Sequence, residues 1–227
     1  MKNGNMNFIA FIVRDVQLME TQRDRVNTML NQQPMQKNTR VRKQTRNSNY
    51  ITTEDCHKDY ILLDFETTGM RAGADKIISV LAIRHINHSE QDHFDTLVNP
   101  NRHIPIEVTQ RTGLSNEAIA SSPTMEEVIQ PLLSYIGDLP IVIHDSSFEM
   151  GFLESLQDFS EVHLPKFTVV DTTKLARKVA SQLEDVEKMK RLAFLLGTKQ
   201  NSMSGLTDCR ATGDIYKYCC KISGEAN

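Results

Sequence analysis

The stretch of sequence that decides the fold is Tyr-Ile-Leu-Leu-Asp-Phe-Glu-Thr-Thr-Gly, residues 60–69. Its apolar beginning predicts a β-strand, and the side chains of a strand alternate between two faces. Asp64 and Glu66 therefore share a face with Leu62 at the end of that strand. Two neighbouring carboxylates that face a core repel each other and are costly to bury, so the pair predicts a bound cation, with a metal ion as the first hypothesis. Because an Asp-x-Glu triplet also occurs by chance, a metal site needs further carboxylates on other core-facing elements.

The segments after residue 69 predict an α/β body. Residues 76–85 and 92–99 are predicted strands that follow the first one closely enough to form an antiparallel meander. Thr124 and Glu127 are spaced as a capping box at the start of a helix, which Pro131 is expected to kink or divide. The remaining predicted elements are helices at 107–112 and 115–120, a strand at 140–144, a helix at 147–157, a strand at 167–170, a helix capped by Asp171 and ending at 180, and helices at 187–196 and 207–222. This order predicts a mixed sheet flanked by helices, in which ligands bind at the ends of strands.

Residues 1–30 form a predicted N-terminal helical extension. Over residues 8–30, apolar side chains recur at spacings of three and four, which is typical of an amphipathic helix. The pattern fits both a helix packed on its own domain and a coiled-coil homodimer through residues 8–30. Residues 8–13 alone could instead form a strand.

Residues 31–58 are predicted to be a basic, disordered linker that precedes the domain at residues 59–222. Apolar residues nearly vanish between residues 31 and 50, where five basic residues occur with no acidic residue among them: Lys37, Arg40, Arg42, Lys43 and Arg46. The segment is either a solvated tether or an arm that binds phosphate groups. Residues 1–50 carry nine basic and three acidic residues, a net charge of +6, whereas residues 51–227 carry 17 and 26, a net charge of −9. The acidic body argues against a duplex-binding surface, so nucleic acid would be bound through metal ions or the basic segment.

The cysteines and the apolar runs bear on the cellular compartment of the protein. Cys56, Cys209, Cys219 and Cys220 include no Cys-x-x-Cys pair, which predicts a reduced chain. The longest apolar run near the N-terminus, residues 8–13, is too short to cross a membrane, and no small-residue cleavage site follows it. We therefore expect a soluble, cytoplasmic protein with no membrane contact.

Two predicted helices carry further carboxylates on their apolar stripes. Glu149 lies three residues before Phe152 on the stripe of one helix, and Asp208 lies three residues before Ala211 on the stripe of the last helix. Because residues three apart share a helix face, both carboxylates are predicted to face the core. Three elements then direct four carboxylates inward, which supports a metal cage.

Four motifs occur in order along the domain. They are Ile-Leu-Leu-Asp64-Phe-Glu66-Thr-Thr-Gly, Val-Ile-His144-Asp145-Ser-Ser-Phe148-Glu149-Met-Gly-Phe-Leu, Val-Val-Asp171-Thr-Thr-Lys-Leu-Ala-Arg and Leu-Thr-Asp208-Cys-Arg-Ala-Thr. Together they resemble the DnaQ-like 3′-to-5′ exonucleases of the DEDD superfamily, in the histidine subgroup that includes the proofreading epsilon subunit and the exonuclease domain of PolC. Asn99-Pro100 and the segment Thr-Gly-Leu-Ser at 112–115 extend the similarity, which covers residues 59–220.

The resemblance implies a ribonuclease H-like fold and hydrolysis of phosphodiester bonds at the 3′ ends of single-stranded nucleic acid, with two Mg²⁺ or Mn²⁺ ions as cofactors. The catalytic and metal-binding residues that it implies are Asp64, Glu66, Glu149 and Asp208. The residues that it implies for contact with the terminal nucleotide are Thr67, Thr68, Gly69 and Phe148. A DNA polymerase or replication complex is the implied protein partner.

Two positions depart from the family pattern. Glu149 stands where the family has Asp, which extends the carboxylate by about 1.5 Å, and Asp145, where the family has Asn, is an alternative ligand. Met203 stands at the position of the general-base His, and Ser204 stands at the position of the Tyr that a related subgroup uses. Neither side chain can deprotonate water near neutral pH, and losing a positioned base typically slows a reaction by about 10²- to 10⁴-fold.

The departures leave two hypotheses for the function. The first is a slowed metal-dependent exonuclease, in which the candidates for a replacement base are His103, His144, His163 and Lys199, and the sequence does not choose among them. The second is a catalytically degenerate domain that binds nucleic acid or a protein partner.

Overall fold

A six-stranded mixed sheet is the centre of the computed structural model, which describes residues 4–31, 48–158, 162–200 and 205–224. The strands are β1 (Tyr50–Thr53), β2 (Tyr60–Thr67), β3 (Ile77–Ile86), β4 (Ser89–Leu97), β5 (Ile141–Ile143) and β6 (Phe167–Asp171). Their order across the sheet is β1-β6-β5-β2-β3-β4. β2, β3 and β4 pair antiparallel, whereas β2, β5, β6 and β1 pair parallel. The predicted α/β class, with a three-strand meander in a mixed sheet, is confirmed.

Eight α-helices and one 3₁₀ turn surround the sheet in the described part of the chain. They are α1 (Gly4–Asn31), α2 (Ile106–Thr112), α3 (Asn116–Ile119), α4 (Met125–Ile136), α5 (Ser146–Ser155) with the 3₁₀ turn Leu156–Asp158, α6 (Thr172–Gln182), α7 (Val186–Gln200) and α8 (Gly205–Ser223). Asp171 caps α6, since its carboxylate accepts hydrogen bonds from the amides of Thr173 and Lys174. α7 continues four residues beyond its predicted end.

The start of α4 matches its prediction, but its interior does not. Thr124 and Glu127 form the expected capping box. The helix runs through Pro131 without interruption, so the expected division is absent. Val128 and Leu132 on either side of the proline are buried in the core, and this packing stabilises the helix on both sides of Pro131.

β2 separates two hydrophobic cores, one on each face of the sheet. Leu63 and Phe65 pack with residues of α4 and α5 on one face. Leu62 packs with residues of α1, α6, α7 and α8 on the other face. Because strand side chains alternate, Asp64 and Glu66 point towards the side of α7 and α8.

The second half of α1 packs on its own domain. Val26 and Leu30 are buried, the guanidinium of Arg23 donates a hydrogen bond to the carbonyl of Leu183 at 2.8 Å, and Arg177 donates to the carbonyl of Leu30 at 2.7 Å. The side chains of residues 4–16 lie outside the described part of the chain. The homodimer through residues 8–30 therefore stays a prediction.

The region predicted as a linker contains a strand. Tyr50–Thr53 forms β1 and pairs parallel with β6, with Tyr50 opposite Phe167. The backbone ladder to β6 stabilises this edge strand, although its one aliphatic side chain, Ile51, is half exposed and gives little hydrophobic signal. The linker boundary at residue 58 is therefore too late, and residues 32–47 lie outside the described residues.

The expectation of a fully reduced chain is wrong for one pair of cysteines. Cys56 and Cys220 form a disulfide across 164 residues of sequence. The fold brings them together because the segment before β2 lies against α8, where the hydroxyl of Tyr216 accepts a hydrogen bond from the amide of His57.

No helix within the described ranges is long and apolar enough to cross a membrane.

α8 packs closely against β2 at Gly213. A Cβ atom built on Gly213 would lie 2.8 Å from Cδ1 of Leu62, a side chain that is fully buried. A close-packed core yields little at such a point, so Gly213 leaves room for the Leu62 side chain where α8 packs on β2. This contact fixes the distance between the strand and the helix that carry three of the four predicted site carboxylates.

We predict that Gly213→Ala lowers the free energy of unfolding relative to Gly205→Ala by about 1–3 kcal/mol, because the added methyl group overpacks the core at Leu62. Gly205 is the matched control on the same helix, since nothing lies within 4 Å of a Cβ built there. Urea denaturation of both variants measures the difference. Equal stabilities of the two variants would contradict the packing argument.

Candidate active site

The end of β2 places Asp64 and Glu66 beside each other on one side of the sheet. Their side chains are 13% and 27% exposed. Burial raises the pKa of Asp64 to about 7; the ammonium of Lys199 opposes this rise, and the carboxylates of Asp208 and Glu66 add to it. The predicted strand-end pair is therefore present, and it lies in a region that is poorly solvated.

α5 brings Glu149 into the same cluster. The backbone amide and the hydroxyl of Ser146 donate hydrogen bonds to the Asp171 carboxylate at 3.1 and 2.7 Å, which ties the start of α5 to the end of β6. Glu149 is buried, as predicted, and burial followed by repulsion from Asp64 raises its pKa well above the usual range. Its Oε2 atom makes no hydrogen bond to any described residue. A buried carboxylate oxygen without a partner is costly unless a proton or a cation compensates it.

α8 supplies the fourth carboxylate, and α7 supplies a cation that contacts it. Asp208 lies in the first turn of α8, and its Oδ2 atom accepts a hydrogen bond from Nζ of Lys199. The same Nζ atom lies 3.7 Å from Oδ1 of Asp64, and the Lys199 side chain is only 10% exposed. Burial alone would lower the pKa of Lys199, but the carboxylates of Asp64 and Asp208 raise it above the usual range. A lysine held protonated in this way cannot act as the replacement base.

Arg111 adds a second positive charge at the rim of the cluster. Its Nη2 atom, on α2, lies 3.9 Å from Oε2 of Glu66, and its side chain is about half exposed. Burial raises the pKa of Glu66, and the guanidinium of Arg111 counteracts this rise. No pattern in the sequence predicts this contact, because Arg111 and Glu66 are on elements that meet only in the fold.

The residues predicted to meet the terminal nucleotide follow directly after Glu66, apart from Phe148 on α5. Thr67 and Thr68 are buried, and their hydroxyls are used within the chain: Thr67 donates to the carbonyl of Gly69 at 2.6 Å, and Thr68 accepts from the amide of Lys76 at 3.0 Å. Gly69 has no room for a side chain, since a Cβ there would lie 2.6 Å from the Asp75 carboxylate.

Phe148 and Asp145 occupy the start of α5. Phe148 is half-buried and its ring centroid lies 4.9 Å from that of Phe152. Asp145 adopts a left-handed backbone conformation with φ of 66°, and its carboxylate accepts a hydrogen bond from the hydroxyl of Ser147 at 2.6 Å. A non-glycine residue in this region is unusual and indicates that the surrounding structure determines the turn before Glu149.

Of the candidates for a replacement base, His144 is placed most clearly. It is buried at the end of β5, and its Nδ1 atom shares a hydrogen bond of 2.8 Å with the hydroxyl of Thr172. Burial lowers its pKa to about 3, and the charge of Lys199 contributes to the shift. His103 is exposed on a loop and contacts Asn116. Met203 and Ser204 lie outside the described residues.

The chemistry of the cluster fits a divalent metal ion. Carboxylate oxygens are hard ligands of the kind that Mg²⁺ and Mn²⁺ prefer, and Oε2 of Glu149 is a buried oxygen without a hydrogen-bond partner. Among the described residues, however, no three His, Cys, Asp or Glu side chains are already arranged to hold a metal ion. The ammonium of Lys199 contacts both Asp64 and Asp208 instead.

Solved structures with the same architecture define the class of the fold. Exonuclease X in complex with 5′-overhanging duplex DNA matches 73% of this chain and 93% of its own, with 20% identity and a TM-score of 0.54. The nuclease domain of 3′hExo, a DEDDh family member bound to rAMP, matches 74% of this chain and 94% of its own, with 16% identity and a TM-score of 0.57. The chain has the ribonuclease H-like fold of these exonucleases.

Sequence comparison then identifies the family. Residues 61–216 match the protein family described as Exonuclease, so the chain belongs to that family. A PolC-type DNA polymerase III from Clostridium perfringens is 31% identical over 170 residues, which cover 74% of this chain and 12% of the polymerase. A putative bifunctional exonuclease/endonuclease protein from Mycobacterium tuberculosis is 30% identical over 164 residues, which cover 69% of this chain and 25% of that protein. The chain therefore spans a quarter or less of the length of these relatives.

We predict that His144→Gln weakens the loss of stability on acidification. His144 binds a proton below about pH 3 in the folded chain but near its ordinary pKa of about 6.5 in the unfolded chain. The unfolded state therefore binds more protons between these values, and stability falls as the pH drops below 6.5, by at most about 1.4 kcal/mol per pH unit from this residue. Urea denaturation at pH 7 and pH 5 measures the change. The exposed His103→Gln variant should keep the wild-type pH dependence, and an equal pH dependence in His144→Gln would contradict the prediction.

Proposed function

We propose that the chain is a metal-dependent 3′-to-5′ exonuclease that hydrolyses phosphodiester bonds at the ends of nucleic-acid strands. The observation that carries the proposal is the convergence of four carboxylates from β2, α5 and α8, which influence one another's pKa values. Membership of the exonuclease family and the order of the four motifs along the chain support the same reaction.

The four carboxylates would hold Mg²⁺ or Mn²⁺ as hard oxygen ligands. Such ions, when bound, lower the pKa of water and polarise the phosphate group. Asp64, Glu66, Glu149 and Asp208 are the residues that would hold the metal. The hydrogen bonds of Ser146 to Asp171 hold the start of α5, the helix that carries Glu149. The ammonium of Lys199 and the thioether of Met203 cannot accept the proton of the attacking water, so the reaction is expected to be slow, by about 10²- to 10⁴-fold relative to a site with a positioned base.

Single-stranded 3′ ends are the proposed substrates. The solved structures in this fold class include one with duplex DNA that has a 5′ overhang and one with rAMP, so DNA and RNA ends are both candidates. Thr67, Thr68, Gly69 and Phe148 lie beside the carboxylates in the sequence motifs and would meet the terminal nucleotide. The PolC-type relative supports a role in DNA replication, with a polymerase or replication complex as partner.

We expect the chain to shorten 5′-labelled single strands of DNA or RNA from their 3′ ends in Mg²⁺ or Mn²⁺, and we expect Asp64→Ala to abolish the shortening because it removes the central ligand. Gel electrophoresis of the labelled products measures both. Glu187→Ala is the matched control, since that carboxylate is exposed on α7, and it should leave the activity unchanged. The proposal fails if the wild-type chain degrades neither substrate faster than Asp64→Ala does.

A second candidate function is a degenerate exonuclease domain that binds nucleic-acid ends or a protein partner without cleaving. The observation that favours it is the ammonium of Lys199 among the carboxylates, together with Met203 at the base position. Binding would then depend on the residues around the carboxylate cluster and on the basic segment at residues 31–58 rather than on cleavage.

The double variant Met203→His with Glu149→Asp separates the two functions. If the lost base limits the rate, the variant should cleave about 10²- to 10⁴-fold faster than the wild type, because it regains a general base and the shorter ligand. Single-turnover cleavage measures the rate, and binding of the labelled strand in EDTA serves as the control that should not change. Equal rates in the two proteins would show that the chain does not depend on a base at position 203.

A further inference from the structure

The ammonium of Lys199 lies among the buried carboxylates of the site, which require a compensating positive charge. Its ammonium hydrogen-bonds to Asp208, lies 3.7 Å from Asp64 and acts electrostatically on Glu149. With a side chain that is 10% exposed, it is not a mobile surface lysine. Lysine is rarely buried to this degree unless it is paired.

The packing of α7 directs Lys199 into the cluster. Met189, Leu192 and Leu196 are buried and follow one another at spacings of three and four along the helix, and Lys199 is the next residue of that stripe. α1 supports the same turn, because a Cβ on Gly197 would lie 3.6 Å from Cε of Met29. The turn of α7 that carries Lys199 is therefore held by packing, which places the base of the side chain beside the cluster.

We propose that Lys199 takes the place of one divalent ion, so that the chain binds a single Mg²⁺ or Mn²⁺ ion where the family resemblance implies two. The inference rests on the proposed function for the identity of the metal site and refines its cofactor content. Lys199 is a charge-compensating residue that positions Asp64 and Asp208, and the single ion binds on the side of Glu149.

The balance of formal charge supports one ion. Because metal binding releases protons from its ligands, the count for the metal-bound site takes Asp64, Glu66, Glu149 and Asp208 as four negative charges, while Lys199 and Arg111 carry two positive charges. The remaining charge of −2 matches one divalent cation. A second divalent ion would meet the ammonium at close range, and two like charges about 4 Å apart repel strongly in a poorly solvated site.

The unpaired oxygen of Glu149 marks the side that remains for the ion. Lys199 forms ion pairs with Asp64 and Asp208, whereas Oε2 of Glu149 has no hydrogen-bond partner among the described residues. A divalent ion on that side would compensate the buried oxygen and would leave the contacts of Lys199 in place.

Mn²⁺ binding to the full chain without nucleic acid tests the proposal. Electron paramagnetic resonance distinguishes an isolated Mn²⁺ ion from a coupled pair about 3.5–4 Å apart, the spacing of two-metal sites, and equilibrium dialysis counts the ions. We expect one isolated ion per wild-type chain and a coupled pair in Lys199→Met, where the competing charge is gone. Lys190→Met on the same helix is the matched control, because Lys190 pairs with Glu187 at the surface, and it should bind one ion.

Two ions or none in the wild type would overturn the proposal, and so would a single ion in both the wild type and Lys199→Met. The wild-type count does not depend on any variant, and Lys199→Gln, which retains a hydrogen-bond donor near Asp208, replaces Lys199→Met if that variant fails to fold. The outcome is separate from that of the cleavage assay: one bound ion without cleavage refutes the proposed exonuclease and leaves the inference on Lys199 intact.

Discussion

Like charges buried at the end of β2 are the constraint on which the rest of the arrangement depends. A carboxylate in a poorly solvated site can take up a proton, gather hydrogen-bond donors or bind a cation. The domain shows each response: the pKa values of Asp64 and Glu149 are raised, the ammonium of Lys199 contacts two of the carboxylates, and Arg111 faces Glu66 at the rim. The helices around the sheet are placed so that these responses meet in one cluster.

The dipoles of three helices stabilise the charged site residues at their ends. Glu149 and Asp208 lie in the first turns of α5 and α8, where the helix dipole stabilises negative charge, and Lys199 lies in the last turn of α7, where it stabilises positive charge. The end of α7 and the beginning of α8 therefore present opposite charges to each other. α1 contributes indirectly, because its buried side chains support α7 from the other side.

The sequence predicts the inward direction of the carboxylates because each lies on a periodic apolar pattern. Glu149 and Asp208 were located by their spacing from Phe152 and Ala211, and the fold confirms that Glu149 is buried. The same reasoning applied to α7 would have located Lys199, but the predicted helix ended at residue 196, one turn too early. Contacts of α7 with α1 and α8 accompany the longer helix.

Local sequence patterns do not predict features that depend on pairing between distant segments. β1 has few apolar residues and is defined by its ladder to β6, which lies more than a hundred residues later. The disulfide of Cys56 and Cys220 likewise depends on how the segment before β2 lies against α8. Local patterns carry no information on such contacts, because the stabilising partner is chosen by the topology of the sheet.

The side-chain length of Glu149 and the positive charge of Lys199 bear on the same question, which is how many ions the site holds. By the family resemblance Glu149 stands at an Asp position, and its longer side chain would displace the carboxylate by about 1.5 Å, which fits poorly with two octahedral ions that share closely spaced ligands. With Lys199 in one cation position, Asp64 and Asp208 are held by an ammonium, whose hydrogen bonds tolerate a wider range of geometry than metal coordination does. Glu149 is then free to reach towards the one remaining ion. Under the proposal, the reach of Glu149 and the ammonium of Lys199 serve one arrangement, in which a single ion lies beside two carboxylates that the ammonium pairs.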